Sequence, residues 1–243
     1  MNQRKRVKKV KVRKIKFGRI LLTLIVISLF IFLLIKFIDR KIKNIYVINN
    51  NVNSLLKDQY IIDLSGISDY PSSLLNPSSK IKERLNKSIF IKDAKVYKKG
   101  LYKIYIEIIE NRILFYNSTN EKYIFEDTKE ISYNDLSKLY PKLITHMPSV
   151  PTLVNYVPDN IYAKLITKMN DVDSSILSHI SEIRYDPNNV DEERFLFTMS
   201  DGNYVYITPS RMNLINRYLD IVVEVDGKKG TLYLDYGDHF VFE

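Results

Sequence analysis

The sequence predicts an α+β protein with a single N-terminal transmembrane helix, a small β-α-α-β-β domain and a larger, mixed β-rich domain with flanking helices. Three observations predict it. Sixteen uncharged, almost wholly apolar residues, Ile20 to Ile35, directly follow a dense basic block. Two stretches between Leu55 and Ile89 carry apolar residues at helical spacing, after which the period shortens to alternation. Beyond Arg112, short β-like runs separated by turn residues dominate.

The apolar run extends over Phe17–Ile38. At ~1.5 Å per residue this helix spans roughly 33 Å, enough to cross a hydrocarbon core of ~30 Å. Ile20, Leu24, Ile27, Ile31 and Ile35 mark the span. Ten Lys and Arg residues precede it with no Asp or Glu, which places residues 1–19 in the cytoplasm as a basic tail. Arg13, Lys14, Lys16 and Arg19 are expected to fix this topology and to meet anionic lipid headgroups. The segment after the run, Lys36-Phe37-Ile38-Asp39-Arg40-Lys41, is bulky and charged. Signal-peptide cleavage needs small residues there, so the span (20–38) reads as a retained anchor.

Composition bounds the rest. The first 43 residues hold 14 of the 37 basic and one of the 28 acidic residues, so the remainder carries 23 and 27, a net charge of −4. The basic character belongs to the N-terminal segment, and an outer domain of this sign does not read as a nucleic-acid binder. The chain has no cysteine, which removes disulfides, thiolate metal sites and thiol nucleophiles together.

Asn44–Asn49 alternates and is β-branched, hence a strand. Asn49-Asn50-Asn51 turns the chain. Ser54 is placed to cap a helix through Ser65, with Leu55, Leu56, Tyr60, Ile61 and Leu64 at helical spacing and Gly66 as its stop. Pro71 to Asn76 reads as a loop. Pro77-Ser78-Ser79 opens a second helix with Ile81, Leu85 and Ile89 on one face. Ala94 and Val96 lead through the Lys98-Lys99-Gly100 turn into a strand with Ile104, Ile106 and Ile108 facing one side.

Further on, Ile113–Tyr116, Tyr123–Phe125 and Glu130–Tyr133 read as strands, followed by a connector punctuated by Pro141, Pro148 and Pro151. Ile161–Met169 and Ile176–Ile180 read as short helices, and Ile183–Tyr185 and Phe195–Met199 as strands. Asp201-Gly202 forms a hairpin turn into Tyr204–Ile207. Ser210 is placed to cap a helix carrying Met212, Ile215, Leu219 and Val222, although the valine-rich Ile221–Val225 also suits a strand. Thr231–Leu234 and His239–Phe242 are β-like.

The sequence offers little for catalysis. His146, His179 and His239 lie far apart, and none has a metal-ligand spacing. No nucleophile elbow or phosphate-binding glycine loop is present. Asp171/Asp173 and Glu192/Glu193 fall in loop-like segments as solvated charges. No catalytic residue, metal, cofactor or small-molecule substrate is expected. What remains is a sheet edge, whose unpaired backbone groups accept an extended partner. The Thr231–Phe242 segment is the candidate, with Tyr233, Tyr236 and Phe240 as possible aromatic anchors; ordinary strand tyrosines are the competing reading in a chain with 18 of them.

The layout resembles the FtsQ/DivIB bacterial cell-division family. Ile45-Tyr46-Val47 before the asparagines resembles the opening strand of its POTRA domain. Ile62-Asp63-Leu64-Ser65-Gly66-Ile67 resembles the first helix and its stop, and Leu74-Leu75-Asn76 the loop that follows. The run from Ile89 to Val96, then Ile104–Tyr116 with Glu110-Asn111-Arg112 as a Glu-x-Arg signature, match in order. So do Pro151–Val154, Ile180–Ile183, Asp201–Val205, Leu214–Tyr218 and Gly230–Asp235 for the β domain. Two glycines usual in the family are absent, after the opening strand (Asn49 or Asn50 stands there) and near Tyr70-Pro71.

The resemblance implies a POTRA-type domain over 43–111 and a partner-binding β domain over 112–243. It implies a non-enzymatic scaffold at the division septum that binds FtsL- and FtsB/DivIC-like single-span proteins and links them to septal peptidoglycan synthesis. It places partner binding on the Thr231–Asp235 strand, comprising Thr231, Leu232, Tyr233, Leu234 and Asp235, with its continuation through Tyr236 to Phe240. Replacing Tyr233 or Phe240 with Lys is then expected to weaken partner capture without unfolding the domain. A membrane-anchored POTRA-type chaperone or sensor for extracytoplasmic polypeptides is the alternative, and an extracytoplasmic hydrolase a third reading.

Overall fold

The computed structural model describes residues 17–49, 55–144 and 147–242. Helix α1, Phe17–Ile38, coincides with the apolar run and buries none of its residues against the rest of the chain. Ile20, Leu24, Ile27, Ile31 and Ile35 are all exposed on it, as an apolar helix surface facing lipid would be. Arg19 lies within α1, whereas Arg13, Lys14 and Lys16 fall outside the described residues.

The next unit has the expected β-α-α-β-β order: β1 (Asn44–Asn49), α2 (Asp58–Ser65), α3 (Ser78–Asn86), β2 (Ile91–Lys99) and β3 (Lys103–Glu110). Strand β3 lies in the middle, parallel to β1 and antiparallel to β2. Its alternation puts Ile104, Ile106 and Ile108 under the helices, where they pack with Ile61, Ile81 and Leu85. The opposite face stays open and carries a cross-strand row of stacked tyrosines, Tyr46–Tyr105–Tyr97, with centroids 4.7 and 5.1 Å apart.

Two local expectations change. Ser54 lies outside the described residues, and α2 begins at Asp58, so Leu55 and Leu56 precede the helix. The reason is tertiary: their backbone N–H groups donate to the two Glu110 carboxylate oxygens, each at 3.0 Å. Helix α2 stops as expected at Gly66, whose φ of 67° is left-handed; a Cβ there would meet the Arg84 guanidinium at 2.8 Å. Where the family's second glycine is missing, Tyr70 itself takes the left-handed turn at φ 50°. A non-glycine residue held there costs ~1–2 kcal/mol, partly offset by the flexibility glycine adds to the unfolded chain. Tyr70→Gly is therefore expected to raise stability by about 0.5–1 kcal/mol, as read by thermal unfolding; a fall would show that the tyrosine side chain contributes more than the turn costs.

The remaining strands form one nine-stranded mixed sheet. In chain order they are β4 (Ile113–Asn117), β5 (Lys122–Phe125), β6 (Glu130–Ser132), β7 (Thr152–Leu153), β8 (Ile180–Tyr185), β9 (Phe195–Met199), β10 (Tyr204–Ile207), β11 (Gly230–Tyr233) and β12 (His239–Phe242). Their spatial order is β12-β11-β10-β9-β8-β7-β4-β5-β6. Helices α4 (Tyr133–Leu139) and α5 (Pro141–Ile144) occupy the start of the segment read as a connector, and Tyr133 opens α4 instead of closing a strand. Ser132 caps α4 by accepting the Asp135 N–H at 3.0 Å. Helices α6 (Asp159–Met169) and α7 (Ser174–Leu177) pack against the sheet; Ile180 belongs to β8, not to the preceding helix.

The segment expected to be capped by Ser210 starts earlier. Thr208 is its N-cap position, with Pro209 at the first helical position. It runs as a 3-10 helix over Pro209–Arg217 and continues as α8 (Tyr218–Glu224), so the valine-rich stretch is helical.

The core continues past Asn111. Ile113, Phe125, Ile131, Leu136 and Leu143 pack into the same cluster as the β-α-α-β-β core, and Phe90 sits edge-on between Phe125 (5.5 Å) and Tyr140 (5.0 Å). A second cluster, from Leu114 and Phe115 to Leu232 and Leu234, fills the β domain. Strand β4 thus feeds both cores with consecutive residues.

Candidate partner-binding edge

Strand β11 runs parallel to β10, pairing Tyr204–Tyr206 with Thr231–Tyr233, and antiparallel to β12, pairing Gly230–Tyr233 with Phe242–His239. It is therefore an interior strand. The free edge at this end of the sheet is β12, which pairs only with β11 among the described residues. This corrects the expectation that Thr231–Asp235 forms the edge. The hairpin through Gly237, at φ 89°, brings the later strand outside it.

The seven candidate residues divide accordingly. Leu232 and Leu234 are buried in the core. Thr231 and Tyr233 are half-buried on the opposite face of β11. Asp235 lies 3.8 Å from the Arg194 guanidinium and is largely covered. Tyr236, 83% exposed, stands out in the turn. Phe240 is on β12 but half-buried against the core, so Phe240→Lys is not the folding-neutral change expected from sequence. The edge residues the sequence reading passed over are His239, Val241 and Phe242, all exposed. Their signal was present in the strand reading of His239–Phe242; what was missing was its place outside β11.

Three features hold this edge. An aromatic row crosses the strands: Tyr206 stacks on Tyr233 at 5.3 Å, and Tyr233 on His239 at 4.9 Å. The Arg194 guanidinium covers the far face of Tyr206 at 4.2 Å and pairs with Asp186 at 2.8 Å. Beneath the sheet, fully buried Asn203 accepts the Gly230 N–H at 3.0 Å and donates to the Tyr218 hydroxyl at 2.9 Å and to Asp201 at 3.1 Å. The Tyr218 hydroxyl in turn donates to Asp201 at 2.7 and 2.8 Å. Burial pushes the Tyr218 phenol far above its ordinary range, so it stays a donor at every physiological pH. Asn203→Leu leaves the Gly230 N–H buried without a partner, and about 2 kcal/mol of stability is expected to be lost. Denaturant unfolding checks this; an unchanged midpoint would remove the network from the account of how β11 is held. The third feature is the absence of a side chain at Gly230, whose Cβ would meet the Val241 carbonyl oxygen at 2.1 Å.

At the other side of the β domain, β3 meets β4 in the Glu-x-Arg signature. Glu110 reaches back to Leu55 and Leu56. Arg112 reaches forward, donating to the carbonyls of Val172 (2.7 Å) and Asn170 (3.1 Å) and to the Ser174 hydroxyl (3.3 Å). Its Nε is 3.9 Å from Glu126, within ion-pair range but too far for a hydrogen bond. Between them, Asn111 donates to the Ile89 carbonyl (2.7 Å) and to Asp127 (2.9 Å). A cleft of about 670 Å³ lies here, lined by Ile109, Arg112, Glu126, Val150 and Leu177 among others.

Burial alone would raise the Asp127 carboxyl, but hydrogen bonds from Lys129 and Asn111 outweigh it and hold it below its ordinary 3.8. The contribution of this link is therefore complete above the unfolded carboxyl's range and lost as pH falls through the lower folded value. The Asn111 side-chain amide resonances are expected to move below about pH 4, and Asp127→Asn to abolish that titration. A flat profile in the parent chain would remove Asp127 from the junction.

Of the histidines, His146 lies outside the described residues, and His179 Nδ1 is 2.7 Å from the Ser175 carbonyl oxygen. Among the described residues, no group of three His, Asp or Glu is placed to hold a metal ion.

Among the described residues, fold and edge together define a class: a protein with one apolar helix fit for a single membrane span, a POTRA-type β-α-α-β-β domain and a β-rich domain whose strand β12 pairs only with β11. The DivIB cell division protein of Listeria monocytogenes is 27% identical over 165 residues, covering 67% of this chain and 59% of that protein. That of Bacillus subtilis is 26% identical over 213 residues, covering 86% of this chain and 78% of that protein. That of Erysipelothrix rhusiopathiae is 24% identical over 192 residues, covering 77% and 68%. The major extracytoplasmic domain of DivIB from Geobacillus stearothermophilus aligns with a TM-score of 0.36 and 21% identity, over 49% of this chain and 96% of that domain. No family model matches the chain. The curated relatives show the likeness of this chain to the FtsQ/DivIB family.

Proposed function

We propose that this chain is a non-enzymatic scaffold of the division machinery. Its N-terminus is cytoplasmic and its folded domains lie outside the membrane at the septum. There the β domain captures FtsL- and FtsB/DivIC-like single-span partners and links them to septal peptidoglycan synthesis. The observation that carries this reading is the outer side of β12, which pairs with no strand among the described residues and is flanked by exposed Val241 and Phe242. A partner segment laid along it would extend the sheet through main-chain hydrogen bonds, while the neighbouring side chains select the sequence.

A photoreactive residue at Val241, in the full chain in its native membrane, tests this. Capture of small single-span coiled-coil proteins is expected. Capture of diverse secreted chains would move the reading to a membrane-anchored chaperone or sensor. No capture from a folded chain would overturn β12 as the docking edge.

A further inference from the structure

The end of the POTRA-type domain nearest the span carries an exposed rim of basic and apolar side chains. Helix α1 ends at Ile38, and Ile42 is already 2% exposed in the core of the β-α-α-β-β unit. The four intervening steps reach at most about 14 Å when fully extended. The headgroup layer on one side of a bilayer is itself several ångströms deep, on the order of 5–8 Å.

The linker is also tied down. Ser72 donates its hydroxyl to the Ile38 carbonyl, the Ser73 N–H bonds the Arg40 carbonyl at 2.9 Å, and the Ile42 N–H bonds the Pro71 carbonyl at 3.0 Å. The Lys43 and Asn44 N–H groups both bond the Tyr102 carbonyl, at 2.9 and 3.1 Å. Lys98 pins the other side of the same loop through the carbonyls of Ser73 and Asn76, the latter at 2.7 Å. The domain is thus braced against the end of the span rather than hung from it.

Register decides which residues this end presents. Asn44, Lys103 and Lys99 share one row across the three strands, at the linker end of each. With the linker itself, that collects Arg40, Lys41, Lys43, Lys99 and Lys103, all exposed, against Asp39 and Asp69. None of the five appears in an ion pair among the described residues; Lys43 and Lys99 instead lie over the rings of Tyr102 and Tyr105, each at 4.7 Å. Beside these cations stand apolar side chains without cover: Leu75 at 62% exposed, Leu74 at 38% and Tyr102 at 37%. Basic side chains interleaved with Leu and Tyr are what the interfacial zone of a bilayer accepts.

We propose that this rim docks onto anionic phospholipid headgroups of the leaflet at the C-terminal side of the span, with Leu74 and Leu75 lowered to the acyl boundary. The choice of lipid follows from the charge, from the short braced linker and from continuity with the span. The domain then stands at a fixed height and orientation on the membrane. The proposal rests on α1 being a membrane span, and its test separates the two.

The chain contains no tryptophan, so single Trp probes report without background. The full chain carrying Leu75→Trp would be reconstituted in nanodiscs with brominated lipid, with and without phosphatidylglycerol. Leu29→Trp in the span and Tyr236→Trp in the β domain serve as references. The Leu75→Trp probe is expected to be blue-shifted and quenched in anionic discs, and the Tyr236→Trp probe neither. Adding Lys43→Glu, Lys99→Glu and Lys103→Glu is expected to shift the docking equilibrium on the order of a hundredfold, at roughly fivefold per lysine, and to restore water-like emission. All three lysines are exposed, and circular dichroism confirms that the fold survives.

Quenching at Leu29→Trp with none at Leu75→Trp overturns the rim alone. No quenching at Leu29→Trp overturns the span and the rim together. Quenching at Leu75→Trp that ignores both phosphatidylglycerol and the charge reversals overturns recognition of anionic headgroups.

Discussion

Gly230→Ala is expected to peel β12 away from the sheet while leaving the rest of the chain folded. The new methyl carbon would sit 2.1 Å from the Val241 carbonyl oxygen and 2.7 Å from Cε1 of Phe240, both on β12. A flexible side-chain tip could swing away, but a backbone carbonyl held in the Thr231–Val241 register cannot move without breaking the ladder. Overpacking of this kind costs about 3 kcal/mol when the structure cannot give. Here it can, because β12 has one neighbour and four residues. Detachment of β12 is the least costly relief. β11 stays, since its other side pairs with β10 and Asn203 still accepts the Gly230 N–H. Hydrogen exchange should show lost protection over 239–242 with near-normal protection over 204–207, and crosslinking from Val241 should fall with it. Normal protection of β12 in Gly230→Ala would mean that the strand tolerates the methyl group and that the glycine is not what admits it.

How much of this was legible in the sequence depends on how far apart the deciding contacts lie. The span, the β-α-α-β-β order, the Gly66 stop and the buried alternation of Ile104, Ile106 and Ile108 are local patterns, and all stand in the structure. The start of α2 was not legible, because a carboxylate some 50 residues later takes the N–H groups of Leu55 and Leu56. Helix α4 was legible and passed over: Ser132 followed three residues later by Asp135 is a capping pattern in front of buried Leu136. The edge was half legible. Alternation identifies both Thr231–Leu234 and His239–Phe242 as β-like, but not which lies outside. That is set by α8, which carries the chain across so that β11 can return parallel to β10, a pairing with no short-range signature. For the same reason Tyr233 lies half-buried within the sheet and Phe240 packs on the core.

Arg112→Ala is expected to cost about 3 kcal/mol and to loosen the β domain's grip on the strand that joins it to the POTRA-type domain. The guanidinium makes charge-assisted hydrogen bonds to two carbonyls and a hydroxyl in the 170–174 segment, and it faces Glu126. Glu126 is also paired with Lys92 at 3.3 Å, so truncating Arg112 leaves that carboxylate with one cation and the Val172 and Asn170 carbonyls without their donor. Glu110 and Arg112 then act as opposed hooks on one strand end, one holding the segment before α2 and the other the segment before α7. A merely cationic role would let Arg112→Lys recover most of the loss. The geometry argues otherwise, since one ammonium on a flexible stem cannot serve both carbonyls and the hydroxyl from the position of a planar fork. Thermal unfolding of the three variants should rank Arg, then Lys, then Ala, with Lys nearer Ala. Hydrogen exchange should localise the loss to the 170–174 segment. If Lys matches the parent chain, the junction is held by charge and by the Phe90–Phe125–Tyr140 contact, and the fork is incidental. If Lys falls with Ala, the planar fork itself is what fixes the 170–174 segment to the β3–β4 junction.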